Sequence, residues 1–149
     1  MTPPSDGPRS FLPTDPGANR VLVVDDDLNQ RTMLVRILKK GNFETAAAMS
    51  NEEARTQLEE SAFGLVVADL RMFAEDGIEL VRHVKDRYPN TYSIVVSGFV
   101  SSEDADQISR AGAFDLMTKP VDRDQFLELV ERAFEHRAQT VAERRHRSL

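Results

Sequence analysis

Cysteine is absent from the 149 residues. Without thiols there is no disulfide framework, no cysteine nucleophile and no thiolate metal site, which fits a reducing, cytoplasmic compartment. Long apolar runs are missing too: none approaches the ~20 residues a membrane span requires. The opening stretch, MTPPSDGPRSFLPTDPGANR, lacks the apolar centre of a signal peptide. The expectation is a cytoplasmic protein with no membrane partner. Negative charge predominates over most of the chain. The formal net charge is −6, with +3 from residues 137–149 and −1 from residues 1–19, so residues 20–136 carry −8. So acidic a body is a poor nucleic-acid binder, because phosphate contacts dominate that affinity, and direct nucleic-acid binding is not expected. It is a reasonable host for a cation.

What is present is enough for one domain and its tails. The chain is 40% apolar, and a domain of this size buries roughly two-thirds of its unfolded surface. Residues 1–19 hold five of the seven prolines and almost no apolar periodicity, which predicts a disordered leader. From Val21 five short β-type runs follow, at Val21–Val24, Phe43–Ala48, Leu65–Ala68, Ser93–Val96 and Ala113–Thr118. Most are continuously apolar, as strands covered on both faces are.

Helical patterns separate them. Residues 28–40 place Met33, Leu34, Ile37 and Leu38 on one face. Ser50-x-x-Glu53 and Asp76-x-x-Glu79 carry capping-box spacing at the start of two more helices. A short helix is predicted over 101–111, and Asp122-x-x-Gln125 opens the last, with Phe126, Leu127, Val130 and Phe134 inward. Residues 137–149, rich in arginine, read as a charged helical extension or a linker to an output domain. Strands alternating with helices imply a parallel sheet with right-handed crossovers. Five βα units suit an open, doubly wound, flavodoxin-like (βα)5 sheet, whose ligand site lies beyond the carboxyl ends of its strands.

Those ends carry charge. The first strand runs into Asp25-Asp26-Asp27, the third into Asp69, the fourth into Ser97-Gly98 and the fifth into Thr118-Lys119-Pro120. Converging carboxylates repel, so such a cluster raises its pKa values or binds a cation. Oxygen ligands in an incomplete cage suit Mg²⁺ shared with a phosphate. A lysine and a hydroxyl on the same rim suit phosphoryl oxygens. Together these groups make a phosphoryl-transfer site with aspartate as the acceptor.

On the runs VLVVDDD, VVADLRM with the following Asp76-Gly77, VVSG and GAFDLMTKP, the chain resembles the receiver (phosphoacceptor) domains of two-component response regulators over about residues 20–136. The resemblance implies phosphorylation of Asp69 by a sensor histidine kinase or phosphotransfer protein. It implies Mg²⁺ held by Asp25, Asp26, Asp69 and the carbonyl of Arg71, whose side chain would be free to vary. Lys119 and Ser97 would hold the phosphoryl oxygens, and the Lys119–Pro120 bond would be cis. Such a domain is a phosphoacceptor with slow self-dephosphorylation at most, not an enzyme. An output domain beyond residue 149 and a homodimer are further implied partners. Three positions depart from the family pattern. Phe73 stands where proline is usual, Phe99 sits at the site mouth, and Leu116 replaces the switch aromatic, with Phe114 read on the same strand face. Two alternatives remain at this point: a receiver-like module that binds partners without phosphorylation, and a haloacid-dehalogenase-type phosphatase. The second needs another acid two residues after Asp69, where this chain has Arg71.

Overall fold

A computed structural model describes residues 15–72 and 75–148. Residues 1–14 of the expected leader lie outside the described residues, and so does Phe73. The described residues form β1 (Arg20–Val24), α1 (Leu28–Lys40), β2 (Glu44–Ala48), α2 (Asn51–Glu60), β3 (Leu65–Asp69), β4 (Arg71–Met72), β5 (Glu75–Asp76), α3 (Gly77–Arg87), β6 (Tyr92–Ser97), α4 (Ser102–Ala111), β7 (Asp115–Thr118) and α5 (Arg123–Ser148). The strand order β2-β1-β3-β6-β7, all parallel, is the doubly wound sheet expected. β4 and β5 are an antiparallel two-residue ladder outside it.

Alternation along the strands splits the core into two layers. Val21, Val23, Leu65, Val67, Ile94 and Val96 face α1 and α5, meeting Leu34, Ile37 and Leu38 from one and Phe126, Leu129, Val130, Ala133 and Phe134 from the other. Leu22, Val24, Val66 and Ala68 face the opposite way onto Ala54 and Leu58 of α2 and Leu80 and Val84 of α3. Val95 packs with Ile78 and Val81 of α3 and Ile108 and Ala111 of α4. Within α5 the inward row differs from expectation by one place: Leu129 is buried and Leu127 half-buried, because the helix meets the sheet over the 126–130–133–134 stripe.

The caps are local. Asp27, Ser50, Asp76 and Ser101 cap α1 to α4, and Asp122 accepts from the Gln125 amide at the start of α5. The reciprocal half of the box at Ser50 is shifted by one residue, since Glu53 accepts from the Met49 amide at 2.8 Å. α4 carries a complete box in Ser101 and Asp104.

At the amino ends of the strands the chain is tied together by polar contacts. Residues 15–19, expected as the end of the leader, form a turn there. Asp15 accepts two hydrogen bonds from the Arg137 guanidinium, at 2.7 and 2.9 Å. Arg137, 4% exposed, also donates to the carbonyl of Asn90 at 2.5 Å. Gly64 makes this closure fit: a Cβ there would collide with the Gly17 carbonyl oxygen. Arg144 donates to the carbonyl of Pro89 and to the Asn90 side chain. The Tyr92 hydroxyl bonds His136 Nδ1 at 2.6 Å and the Thr140 hydroxyl at 3.0 Å. α5 past residue 136 is therefore seated on the domain over more than two turns.

Burial alone would push the Asp15 carboxyl up, but the hydrogen bond and charge of Arg137 outweigh it and hold it below 3.8. A lowered folded-state pKa stabilises above the unfolded value and is lost as pH falls through it. Asp15→Ala leaves Arg137 buried without its counter-charge, and breaking such a pair costs about 3 kcal/mol. Urea titration at pH 7 should show that loss, and wild type and variant should converge as pH drops below about 4.

Candidate functional site: an acidic cluster at the carboxyl edge of the sheet

The chain reverses its winding between β1 and β3, the position where open α/β sheets bind ligands. Register fixes what stands there. Val24 pairs with Ala68, Asp69 with Val96, and Ser97 with Thr118, so Asp25, Asp69, Ser97 and Lys119 end four neighbouring strands on one rim. A one-residue slip would turn whole rows of buried valines to the wrong face.

Carboxylate oxygens of Asp25, Asp26 and Asp69 all lie within 4.8 Å of one another. Asp25 and Asp69 are buried, and Asp26 is exposed. Lys119 Nζ stands 3.2 Å from Asp69 Oδ2 and 3.9 Å from Asp25 Oδ2. Its backbone is held by the Lys119 amide donating to the Ser97 carbonyl at 2.8 Å, and the Lys119–Pro120 bond is cis, as expected. Asp25 Oδ1 accepts from the Asp27 amide at 2.9 Å, while Arg31 donates to the Asp25 carbonyl at 2.8 Å. Asp27 itself is spent on α1, accepting from the amides of Asn29 and Gln30. Asp69 Oδ1 accepts from the Arg71 amide at 3.3 Å. The Ser97 hydroxyl donates to the Phe99 carbonyl at 3.2 Å. Gly77 lets α3 start directly beneath this rim. Its amide donates to the Leu70 carbonyl at 2.8 Å, and a Cβ on it would collide with the Asp69 carbonyl oxygen.

Burial pushes the Asp25 carboxyl up to about 6, helped by the charges of Asp69 and Asp26 and opposed by the Asp27 amide and Lys119. One lysine against three carboxylates leaves a surplus of negative charge, and hard oxygen donors are the set that a divalent cation such as Mg²⁺ prefers. The donor set therefore fits the implied metal, with Asp25, Asp26 and Asp69 as the residues to hold it.

The rim places two further side chains and changes one reading. The Arg71 side chain extends to α4 and meets Asp104 Oδ2 at 2.6 Å. Phe99 is on the loop after Ser97 and 72% exposed, so its ring stands in solvent. Phe114 and Leu116 do not share a face: Phe114 packs on the α1/α5 side and Leu116 on the α3/α4 side. β7 begins only at Asp115, so strand alternation does not extend back to Phe114. That ring lies instead against Tyr92 and His136. His136, exposed on α5, is part of this group. The Arg71–Asp104 pair was hidden from the sequence by its 33-residue separation.

A family model for the response regulator receiver domain matches residues 21–131. The chain belongs to that family. Among curated relatives, the transcriptional regulatory protein ZraR of Salmonella typhimurium is 37% identical over 123 residues, covering 83% of this chain and 28% of ZraR. The response regulator protein PilR of Pseudomonas aeruginosa is 35% identical over 111 residues, 74% of this chain and 25% of PilR. The chain thus spans about a quarter of the length of these relatives. Among solved structures, the beryllofluoride-activated NtrC4 receiver domain dimer superposes with a TM-score of 0.76 at 30% identity, covering 80% of this chain and 98% of that one. A CheY-like receiver domain protein from Methanospirillum hungatei gives 0.79 at 26% identity, over 82% and 98%. The chain is a receiver domain of two-component signalling, with its acidic cluster at the switch point of the sheet. No helix of the described residues is long and apolar enough to cross a membrane.

Asp25 behaves oppositely to Asp15. A raised acid pKa contributes stability that is full below 3.8 and lost as pH rises through about 6. In metal-free receiver at pH 7, Asp25→Asn removes that charge and should raise unfolding free energy by about 1–3 kcal/mol. Magnesium should stabilise wild type and leave the variant nearly unmoved, both read by thermal melts with and without chelator. Gly77→Ala should weaken magnesium binding about tenfold or more, since the backbone of Asp69 must shift to admit the methyl; isothermal titration reads it.

Proposed function

We propose that this receiver takes a phosphoryl group on Asp69 from the phosphohistidine of a sensor histidine kinase or phosphotransfer protein. The observation that carries the reading is the convergence of Asp69 with Asp25, Asp26 and Lys119 at the end of a buried strand. An Asp69 carboxylate oxygen attacks phosphorus in line, and the phosphorus–nitrogen bond to the donor histidine breaks. Asp25, Asp26 and the Arg71 carbonyl, with Asp69, would hold a magnesium ion. Bound there, it supplies positive charge that offsets the carboxylate repulsion and the charge on the transferred oxygens. Lys119 already pairs with Asp69 and retains a phosphoryl oxygen after transfer. The Ser97 hydroxyl leaves the Phe99 carbonyl and donates to another.

The added charge signals only if one of two domain arrangements holds it better. The moving parts are the loop after Ser97 and α4, and the change is read on the surface that α4 makes with β7 and α5. Residues 20–136 form the receiver body in this reading, and residues 137–149 lead toward an output domain of the kind that lengthens ZraR and PilR. The dimer described for the NtrC4 receiver supports pairing of two copies as part of that output. The domain itself is read as a phosphoacceptor rather than an enzyme, acting in the cytoplasm.

Incubation with Mg²⁺ and acetyl phosphate should add about 80 Da, one phosphoryl group, to wild type and nothing to Asp69→Asn by intact mass spectrometry. Lys119→Ala should cut the yield at least tenfold, the usual weight of one electrostatic contact in a transfer site. Turnover of many phosphoesters would select a phosphatase, and no adduct would select a phosphorylation-independent binding module.

A further inference from the structure

Asp104 lies outside the acidic cluster, on α4, yet it touches the loop that leaves Asp69. Its Oδ2 accepts from the Arg71 guanidinium at 2.6 Å and from the Ser101 amide at 3.3 Å. The same oxygen therefore belongs to the capping box of α4 and to an ion pair with the residue two places after Asp69. Arg71 in turn donates its own amide to Asp69 Oδ1 at 3.3 Å, and the β4–β5 ladder pairs it with Asp76, the cap of α3. The loop between Ser97 and α4 is pinned at its start by the Ser97 hydroxyl on the Phe99 carbonyl. It is pinned at its end by Asp104 on Arg71. Between the two pins Val100 packs against the cluster of Leu70, Ile78, Val95 and Ile108, while Gly98 has open space where a Cβ would stand. The Ser101 amide, and then the guanidinium, keep the Asp104 carboxyl low, so the pair stays charged across the neutral range. Arg71 is 64% exposed in its side chain, which leaves it room to turn.

We infer that Asp104 is a positioning residue: its ion pair with Arg71 holds the Ser97–α4 loop in the unphosphorylated arrangement and keeps the guanidinium away from the phosphoryl position. The inference rests on phosphorylation of Asp69 as read above. A phosphoryl group there puts a second anion within reach of the Arg71 side chain. It is the stronger competitor, because guanidinium binds phosphate oxygens in bidentate fashion. Phosphorylation then removes both pins together: Ser97 turns to the phosphoryl oxygen, and Arg71 leaves Asp104. α4 keeps its cap through the Ser101 hydroxyl and the Asp104 amide, 3.0 Å apart, so it is released without unwinding. The capping oxygen is thus also the restraint on the helix.

The two halves of the pair are separable by experiment. Asp104→Asn keeps a carbonyl oxygen for the Ser101 amide, removes the charge and leaves Arg71 free for the phosphoryl group. Arg71→Gln frees α4 equally but has no cation to offer. With acetyl phosphate and Mg²⁺, both variants should accept the phosphoryl group faster than wild type, by about two- to fivefold, the leverage of one exposed ion pair. Once phosphorylated, only Asp104→Asn should hold the group longer, again by a few-fold, while Arg71→Gln should not. The double variant should match Arg71→Gln in both rates. Arg71→Lys, which keeps the cation, should restore slow acceptance. A mainly structural role predicts lower melting temperatures with lifetimes moving together in the two variants, and that result would overturn the inference. So would unchanged rates in Asp104→Asn, or additive effects in the double variant. Absence of any Asp69-dependent adduct in wild type would instead sink the phosphoacceptor reading itself.

Discussion

The carboxyl edge of this sheet is organised by a repulsion that cannot relax. Asp25 and Asp69 are buried at the ends of adjacent strands, and two layers of packed valine and leucine side chains hold those strands in register. The carboxylates cannot move apart without dislodging that packing. Lys119 meets both of the buried ones, yet it is a single charge. What remains adds to the burial that already pushes the Asp25 carboxyl up to about 6, and a divalent cation would answer it. The site is thus complementary to more positive charge than the chain itself supplies.

How much of this was readable in the sequence depended on distance along the chain. The strands announced themselves as apolar runs, and a strand that is buried on both faces can carry charge only at its end. Asp25, Asp69, Ser97 and Lys119 were therefore placed by position alone. Caps were legible for the same local reason, although the partner of Glu53 came out one residue away. What could not be read were the contacts that join remote parts of the chain. Asp15 with Arg137, Tyr92 with His136, and Arg71 with Asp104 follow no sequence period. Arg137 looked like the first residue of a solvated tail, and Asp15 like the last acid of a leader. Burial of one against the other is a property of the closed fold. Phe114 failed differently, because alternation was extended past the true start of β7.

Those remote contacts are concentrated at the two ends of the same strands and serve opposite purposes. At the amino ends, Asp15, Asn90, Tyr92 and the 136–144 stretch of α5 make a set of polar ties around buried Arg137 and Val141. They convert what reads as a linker into part of the domain, so anything joined after Ser148 inherits the orientation of the receiver. At the carboxyl ends, the ties at Phe99, Ser101 and Asp104 involve exposed or half-buried groups, which exchange with water at small cost.

The contrast decides where a signal can leave. β1, β3 and β6 are too well packed to slide, since any slip would expose whole rows of valine. α5 is held at both its sheet-facing stripe and its polar seat. α4 is different: among the described residues it buries only Ile108 and Ala111. Its amino terminus is restrained by a serine, an aspartate and an arginine that reaches across from the loop after Asp69. Elements with few buried contacts are the ones whose equilibria a modest free energy can move. A charge placed on Asp69 meets a rigid sheet, a seated α5 and a lightly held α4, and its effect falls on the last of these. The missing switch aromatic at Leu116 is consistent with that economy. Leu116 packs with the α3 and α4 side chains, so its surroundings change with α4, and as a leucine it has no ring to gate that movement.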